Sequence, residues 1–424
     1  MRRTVVTGIG VVAPGGVTRE AFWENITAGR TATRKITFFD PSGFRSQIAA
    51  EADFDPIAAG LSEHERRRMD RYIQFAAVAG AEAIEDAALD LDSVDRNRVA
   101  VSLGSAVGGT MQLEDGYVAV SNRGAEWLVD PDYSDPFLYA GLVPSSLASE
   151  IAQKFGAHGP AVVISTGCTS GVDALGYAHH MIQDGEADIV IAGASESPIS
   201  PISMACFDPI KATSPRNEDP EHASRPFDAE RSGFVMGEGG AVLVLEEIDT
   251  ALARGARIYC ELTGYATRGN AFHMTGLRPD ALEMSEAIRD AMRQGNTNPE
   301  DIDYINAHGS GTKQNDIHET QAFKNTLGEH AYKVPISSIK SMIGHSLGAI
   351  GAIEMACCAL AIDRDMVPPT ANWENRDPQC DLDYTPKVAR SLPIDTALST
   401  ASGFGGFQSA MIFSVPPELR EVSA

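Results

Sequence analysis

The sequence predicts an α/β protein of two similar halves that meet near Thr250–Arg257. Two segments share one unusual plan: AVVISTGCTSGVDALGYAHHMIQDG from Ala161 and VPISSIKSMIGHSLGAIGAIEMACCALAI from Val334. Each reads as a short β-branched strand, a glycine-containing turn and a helix of small residues. Other runs also correspond between the halves: that from Arg3 with that from Arg257, Val99–Gly104 with Ile302–Gly309, and Ile189–Ser195 with Thr396–Ser402. Strands alternating with helical stretches argue for mainly parallel sheets with helices on their faces. The expected division is 1–252 and 253–424, each half about as long as one domain.

The elements follow in order. The opening MRRTVVTGIGVVAPGG places two arginines before apolar residues, as a secretory leader does. Gly8, Gly10 and Pro14 break that run and no cleavage site follows cleanly, so it reads as a first strand ending in a glycine turn. After Cys168, residues Val172, Leu175, Ala178 and Ile182 keep helical spacing, and Leu347, Ile350, Ile353 and Leu360 do so after His345. Both stretches are rich in Gly and Ala, which lets helices pack closely, so both are expected to be buried. A buried helix behind a strand and turn puts the turn residue at the carboxyl end of the sheet, where open α/β folds bind ligands. The longest apolar stretch, Ala349–Ile362, carries Glu354 and is too short to span a bilayer.

Composition excludes several classes. Hydrophobic residues make up 43% of the 424, enough for large cores. A net charge of −24 makes nucleic acid and anionic membranes poor partners. Six cysteines without regular spacing are no disulfide framework, which fits a reducing cytoplasm. No His/Cys cluster has zinc-ligand spacing, and the runs Gly237–Gly240 and Gly403–Gly406 complete neither a dinucleotide fingerprint nor a P-loop. No metal and no directly bound cofactor are expected.

Cys168 stands on a strand-to-helix turn, in STGCTSG. Unpaired amides at a helix N-terminus favour thiolate there and supply part of an oxyanion hole. Cys357 and Cys358, in an Ala-rich stretch, read as core. His308, in NAHGSGT, follows the strand Ile302–Ile305, where glycines expose it for proton transfer or hydrogen bonding. By itself His308 reads equally as a loop histidine; His345 occupies the turn corresponding to that of Cys168, which sets it above an ordinary histidine, and Lys340, five residues earlier, reads by itself as a solvated lysine. Gly344–Gly348 matches G-x-S-x-G, but no histidine follows Ser346, so the serine-hydrolase order is missing.

In combination, G-C-T-S-G around Cys168, A-H-G-S-G-T with Asp316 beyond it, S-S-I-K-S-M-I-G-H-S-L-G-A from Ser337 and the terminal G-F-G-G resemble the β-ketoacyl synthases of the thiolase superfamily, over nearly the whole chain. Within that family the chain is most similar to the α ketosynthase of bacterial type II aromatic polyketide synthases, on Phe207–Asn217, Ala223–Asp228 and Ser402–Gln408. The resemblance implies the duplicated five-layer αβαβα thiolase-like fold. It implies Cys168 as nucleophile, the backbone amides of Cys168 and Phe404 as oxyanion hole, and His308 and His345 as neutral donors to the extender thioester. Lys340 would orient the histidines, with Asp316, Glu354 and Thr312 around it, and Phe404 would act as a gate. The reaction implied is decarboxylative Claisen condensation of a malonyl extender with the Cys168-bound chain. Both substrates would arrive on the 4′-phosphopantetheine of acyl carrier protein, and a chain-length factor would complete a heterodimer.

Carrier proteins are acidic, so positive charge must be local; Arg66 and Arg67, in the run Glu65–Arg71, and Lys211 are the docking candidates. The aromatic, irregular segment Gly109–Pro144 is expected to line the interface or pocket, or to be a surface insertion. A homodimeric fatty-acid ketosynthase would share every catalytic residue. A coenzyme A thiolase would need a second cysteine near the terminal glycines, and none follows Cys380. A non-condensing chain-length factor would lack Cys168.

Overall fold

A computed structural model describes residues 2–126 and 130–420. Its framework is a ten-stranded sheet. In chain order the strands are β1 (Thr4–Val12), β2 (Val99–Gly104), β3 (Ala161–Ile164), β4 (Ile189–Glu196), β5 (Gly239–Glu247), β6 (Cys260–Gly269), β7 (Tyr304–Asn306), β8 (Ile336–Ser337), β9 (Thr396–Gly403) and β10 (Phe407–Ser414). Side by side they run β3-β2-β4-β5-β1-β6-β10-β9-β7-β8. The second five strands repeat the first five in mirror order. At the seam β1 and β6 pair antiparallel through Thr4–Leu262, Val5–Glu261 and Val6–Cys260.

The expectation of mainly parallel pairing holds at the two ends of this sheet and fails near the seam. β2 pairs parallel with β3 and β4, as β7 does with β8 and β9. β5 lies antiparallel between β4 and β1, and β10 between β9 and β6. The cause is plain at β9–β10: three residues, Phe404-Gly405-Gly406, join them, and so short a connection can only turn the chain back on itself.

Six helices complete the layers: α1 (Arg71–Asp86), α2 (Ser146–Phe155), α3 (Ser170–Gln183), α4 (Leu282–Gln294), α5 (Lys313–Leu327) and α6 (Ile350–Arg364). α1 and α2 cover the outer face of the first five strands, and α4, itself packed on α5, that of the second. α3 and α6 pack on each other between the two sheet halves, α6 against both β5 and β9. Three hydrophobic clusters fill the spaces so defined. Tyr72, Phe75 and Leu103 belong to one outer core, Ile288, Ile305 and Phe323 to the other, and Leu175, Leu243, Ile353 and Met411 to the central one. The sequence therefore adopts the five-layer αβαβα arrangement. From Ile350 to Ile362 α6 is buried on every side, as an apolar helix without a polar stripe must be.

Two local expectations need correction. β1 runs through Gly8 and Gly10 to Val12 rather than stopping at them. Glycine is needed there because a Cβ on Gly10 would lie 1.9 Å from the Ala79 carbonyl oxygen of α1. Leu347 belongs to a separate 3₁₀ turn, Leu347–Ala349, with φ of 46°, and α6 begins only at Ile350. Among the described residues no helix is long and apolar enough to cross a membrane.

The crossing of α3 and α6 is a backbone contact: a Cβ on Gly171 would sit 2.4 Å from Ala352 N, and one on Gly351 2.8 Å from Val172 N. Gly171→Ala is expected to lower the unfolding free energy by about 1–3 kcal/mol. Gly43→Ala, where a Cβ meets nothing within 4 Å, should stay within about 0.5 kcal/mol of the parent. Chemical denaturation of the two variants checks the pair.

Candidate active site

β3 ends at Ile164 and α3 begins at Ser170, leaving Cys168 on the connecting turn. The turn is fastened from within: Ser170 Oγ donates to the Gly167 carbonyl at 2.6 Å and accepts from Thr166 N at 3.0 Å. The backbone N–H of Phe404 is directed at the Cys168 thiol. Burial pushes that thiol up to about 11, against the opposing pull of the Lys340 charge and the Phe404 N–H. Desolvation thus works against the expected resting thiolate. Removing an anion from water outweighs the favourable local field, so the resting group is a thiol that must lose its proton as it attacks.

His308 follows β7 and His345 precedes the turn into α6; their rings meet edge to face with centroids 5.3 Å apart. Phe234 packs against the His345 ring, also at 5.3 Å. His345 is held by its backbone, donating from N to the Val235 carbonyl at 2.7 Å and accepting at O from Gly237 N at 2.9 Å. Both imidazoles are held well below the usual histidine range, first by burial and then by the Lys340 charge, and so are neutral. The Nδ1 of each is buried without a hydrogen-bond partner among the described residues.

Lys340 is not solvated. It is fully buried, donates from Nζ to the His308 carbonyl at 2.5 Å and forms an ion pair with Glu354 of α6. Asp316 does not join this pair. Its carboxylate accepts from Phe227 N at 2.7 Å and Gly311 N at 3.2 Å and lies 3.5 Å from the Arg231 guanidinium, so it pins the loop after His308 rather than Lys340. Thr312 caps α5, its Oγ1 accepting from Asn315 N, and bonds Ser310 Oγ at 2.9 Å.

Buried carboxylates that the motifs did not reveal complete the frame. Glu319 on α5 accepts from His308 N at 2.6 Å, Gly309 N at 2.8 Å and Thr400 Oγ1 at 2.6 Å, and burial pushes its carboxyl up to about 7. Glu196, at the end of β4, takes the Ser105 hydroxyl and the amides of Ala106, Gly108 and Gly348. For Glu196 the available signal was a carboxylate closing an otherwise apolar strand, whereas Glu319, in the polar sequence of α5, carried none.

Cys168, His308, His345, Phe207, Phe234 and Phe404 line one narrow pocket of about 60 Å³, room for a few waters and no acyl chain. Phe404 stands at its rim, 38% exposed. The turn after it requires glycine: a Cβ on Gly406 would lie 2.1 Å from Asn270 Oδ1, and φ is 95° at Gly405 and 88° at Gly406. Lys211 lies just outside, in a second depression that shares Thr312 and Phe404 with the first. Arg66 and Arg67 line a different depression, beside Met111 and Tyr133. The basic run is also largely neutralised: Arg66 pairs with Glu63, Arg68 with Glu150 and Arg71 with Glu238. The three docking candidates thus do not share one pocket.

A cysteine on a strand-to-helix turn, two neutral imidazoles and a backbone amide converging on one mostly apolar pocket define an acyl-transfer enzyme. The chain belongs to the β-ketoacyl synthase family: the family's N-terminal domain matches residues 1–251 and its C-terminal domain residues 259–374. It is 57% identical over 419 residues to the tetracenomycin polyketide synthase ketoacyl synthase alpha subunit of Streptomyces glaucescens, covering 99% of this chain and 98% of that one. Among solved structures it resembles a type II polyketide synthase acyl-carrier protein in complex with its ketosynthase bound to the hexaketide, with TM-score 0.92, 40% identity, and 98% and 99% of the two chains covered. It also resembles the ishigamide ketosynthase/chain length factor, with TM-score 0.88, 32% identity, and 98% and 99% covered.

A thiol near 11 gives a directional prediction: its thiolate fraction rises about tenfold per pH unit below that value. Alkylation of Cys168 by iodoacetamide, followed by intact mass, should therefore climb from pH 7 to 10 without levelling. Lys340→Met should slow it at every pH, because removing the cation raises the thiol further. A plateau already at pH 7–8 would show that the sulfur rests as an anion.

Proposed function

We propose that this chain is the condensing α subunit of a type II polyketide synthase, extending a poly-β-ketone by two carbons per cycle. The observation that carries the reading is the convergence of Cys168, His308, His345 and the Phe404 amide on one pocket, in a chain 57% identical to a polyketide ketosynthase alpha subunit. Cys168 sulfur attacks the thioester of an acyl chain on the 4′-phosphopantetheine of acyl carrier protein, and its proton leaves with the carrier thiol. The amides of Cys168 and Phe404 hold the tetrahedral oxyanion; losing one such donor costs about 3–4 kcal/mol. Malonyl on carrier protein then enters. His308 and His345 donate to its thioester oxygen, carbon dioxide leaves, and the enolate carbon attacks the Cys168 thioester, releasing the sulfur. Neutral rings suit this step, because an imidazolium would protonate the carbanion and waste the extender. Lys340 keeps both rings neutral and, with Glu354, fixes the His308 loop; Asp316 and Thr312 shape the same loop.

The acyl chain needs more room than the pocket has, so Phe404 moves aside as a gate. Lys211 docks the carrier at the pocket mouth, and Arg66 and Arg67 form a separate basic contact. A chain-length factor completes a heterodimer. Supporting this, β3 ends the sheet with one edge unpaired and with Ala161 to Ile164 exposed or half-buried, an open template for another strand. Leu113, Tyr117, Tyr139 and Leu142, in the segment Gly109–Pro144, are exposed apolar side chains of the kind an interface covers; Trp127–Val129 of that segment lie outside the described residues. We assign the halves to 1–252 and 253–424, on the mirrored strand order. The six cysteines are all free thiols, as a reducing cytoplasm would keep them.

Co-expression with a chain-length factor, followed by incubation with malonyl-acyl carrier protein, tests the reading. Poly-β-ketone products from a heterodimer are expected; a homodimer making fatty-acid precursors would overturn it. Cys168→Ala should abolish elongation. His308→Ala and His345→Ala should each cut malonyl decarboxylation about 100-fold or more. If Arg67→Glu leaves carrier-protein turnover and its salt sensitivity unchanged, that contact is wrong.

A further inference from the structure

Asp173 lies inside α3, in a stretch otherwise made of small and apolar residues, and it is buried. The condensation as described above does not use it. Its two carboxylate oxygens serve different parts of the molecule. Oδ2 accepts from Thr166 Oγ1 at 2.5 Å and Thr169 Oγ1 at 2.7 Å, the residues on either side of the Gly167-Cys168 pair. Oδ1 accepts from Tyr265 OH at 2.9 Å and Ser409 Oγ at 2.6 Å. Tyr265 is on β6 and Ser409 on β10, the strand that leaves the Phe404 hairpin. One carboxylate thus ties the nucleophile turn of the first half to the second-half strands that carry the other oxyanion donor.

We propose that Asp173 is a positioning residue that sets the spacing between the Cys168 and Phe404 amides, and so builds the oxyanion hole. The inference rests on the Cys168 reading above. Those two N–H groups come from different halves of the chain and are more than 230 residues apart, so no local turn geometry can hold them together. A hole preorganised to a few tenths of an ångström needs a rigid cross-link. A carboxylate satisfied by four hydroxyls in a water-poor site supplies one, because each bond is charge-assisted and none competes with solvent. An amide at this position carries no charge and accepts on one side only; on the other its NH2 must donate, so the two hydroxyls there have to turn their protons elsewhere.

Two reactions of the same sulfur separate this role from a merely structural one. Acyl transfer from acetyl-acyl carrier protein passes through a tetrahedral oxyanion; alkylation by iodoacetamide displaces iodide and forms none. In Asp173→Asn, acylation of Cys168 measured by intact mass is expected to fall about 10–100-fold, a part of the 10²–10³ that one lost donor costs. Alkylation should stay within about twofold. Ser409→Ala and Tyr265→Phe, each removing one hydroxyl from the second-half side, should show the same selective loss to a smaller degree, which keeps the test open should Asp173→Asn fail to fold. Unchanged acylation, or equal loss of both reactions, in variants that fold overturns the proposal. If instead Cys168→Ala is still acylated at the parental rate, it is the assignment of the nucleophile that has failed.

Discussion

The backbones of α3 and α6 touch at Gly171 and Gly351, and the whole site depends on that contact. Each helix begins just after a turn that carries chemistry, Cys168 in one half and His345 in the other. With side chains at the crossing the helix axes would separate by a few ångströms, and the two turns with them. The duplicated fold supplies two equivalent turns; the glycines bring them to one pocket. The price in conformational entropy of glycine within helices is roughly 1 kcal/mol each, small beside the apolar area that the central layer buries.

Loops around that pocket are held by buried carboxylates rather than by apolar packing. Glu319 holds the His308 loop, Glu354 holds Lys340, and Glu196 holds the Ala106–Gly108 loop to Gly348. Packing alone tolerates small shifts, whereas an amide or hydroxyl bonded to a buried carboxylate loses a charge-assisted bond if it moves. Burial raises Glu196, Glu319 and Glu354 to about 7, the mark of carboxylates whose hydrogen bonds only partly offset desolvation. Such groups serve geometry at a cost in stability.

The sequence made the fold legible where the duplication was: matching strand–turn–helix plans at Ala161 and Val334 implied two halves, and the mirrored strand order agrees. Direction within the sheet was only partly legible: β10 is reversed by the short Phe404–Gly406 connection, which is local, whereas β5 reads like any buried strand and its orientation follows from the long connection between Glu196 and Gly239. Cys168, His308 and His345 stood out because each sits on a turn flanked by glycines. Glu319 and Asp173 carried no such mark: their partners are backbone amides and hydroxyls from distant segments, and no spacing along the chain encodes them. The ionisation of Cys168 was not legible for a related reason. A helix N-terminus is visible in sequence, but the burial that outweighs it is created by residues from Phe207 to Phe404.

A resting thiol also suits a condensing enzyme better than a resting thiolate would. In the proposed reaction the site opens to a carrier-borne thioester, and a permanent anion there would react with any electrophile that entered. On the proposed mechanism, keeping the sulfur protonated ties its nucleophilicity to the moment when an acyl thioester lies against the Phe404 amide, where negative charge can pass from sulfur to the carbonyl oxygen without ever standing alone in the pocket. The same burial that raises the thiol holds both imidazoles neutral. Desolvation therefore dominates the protonation of all three groups, and Lys340, a cation whose charge acts on each of them, tunes the balance: it eases ionisation of the sulfur and opposes protonation of the rings.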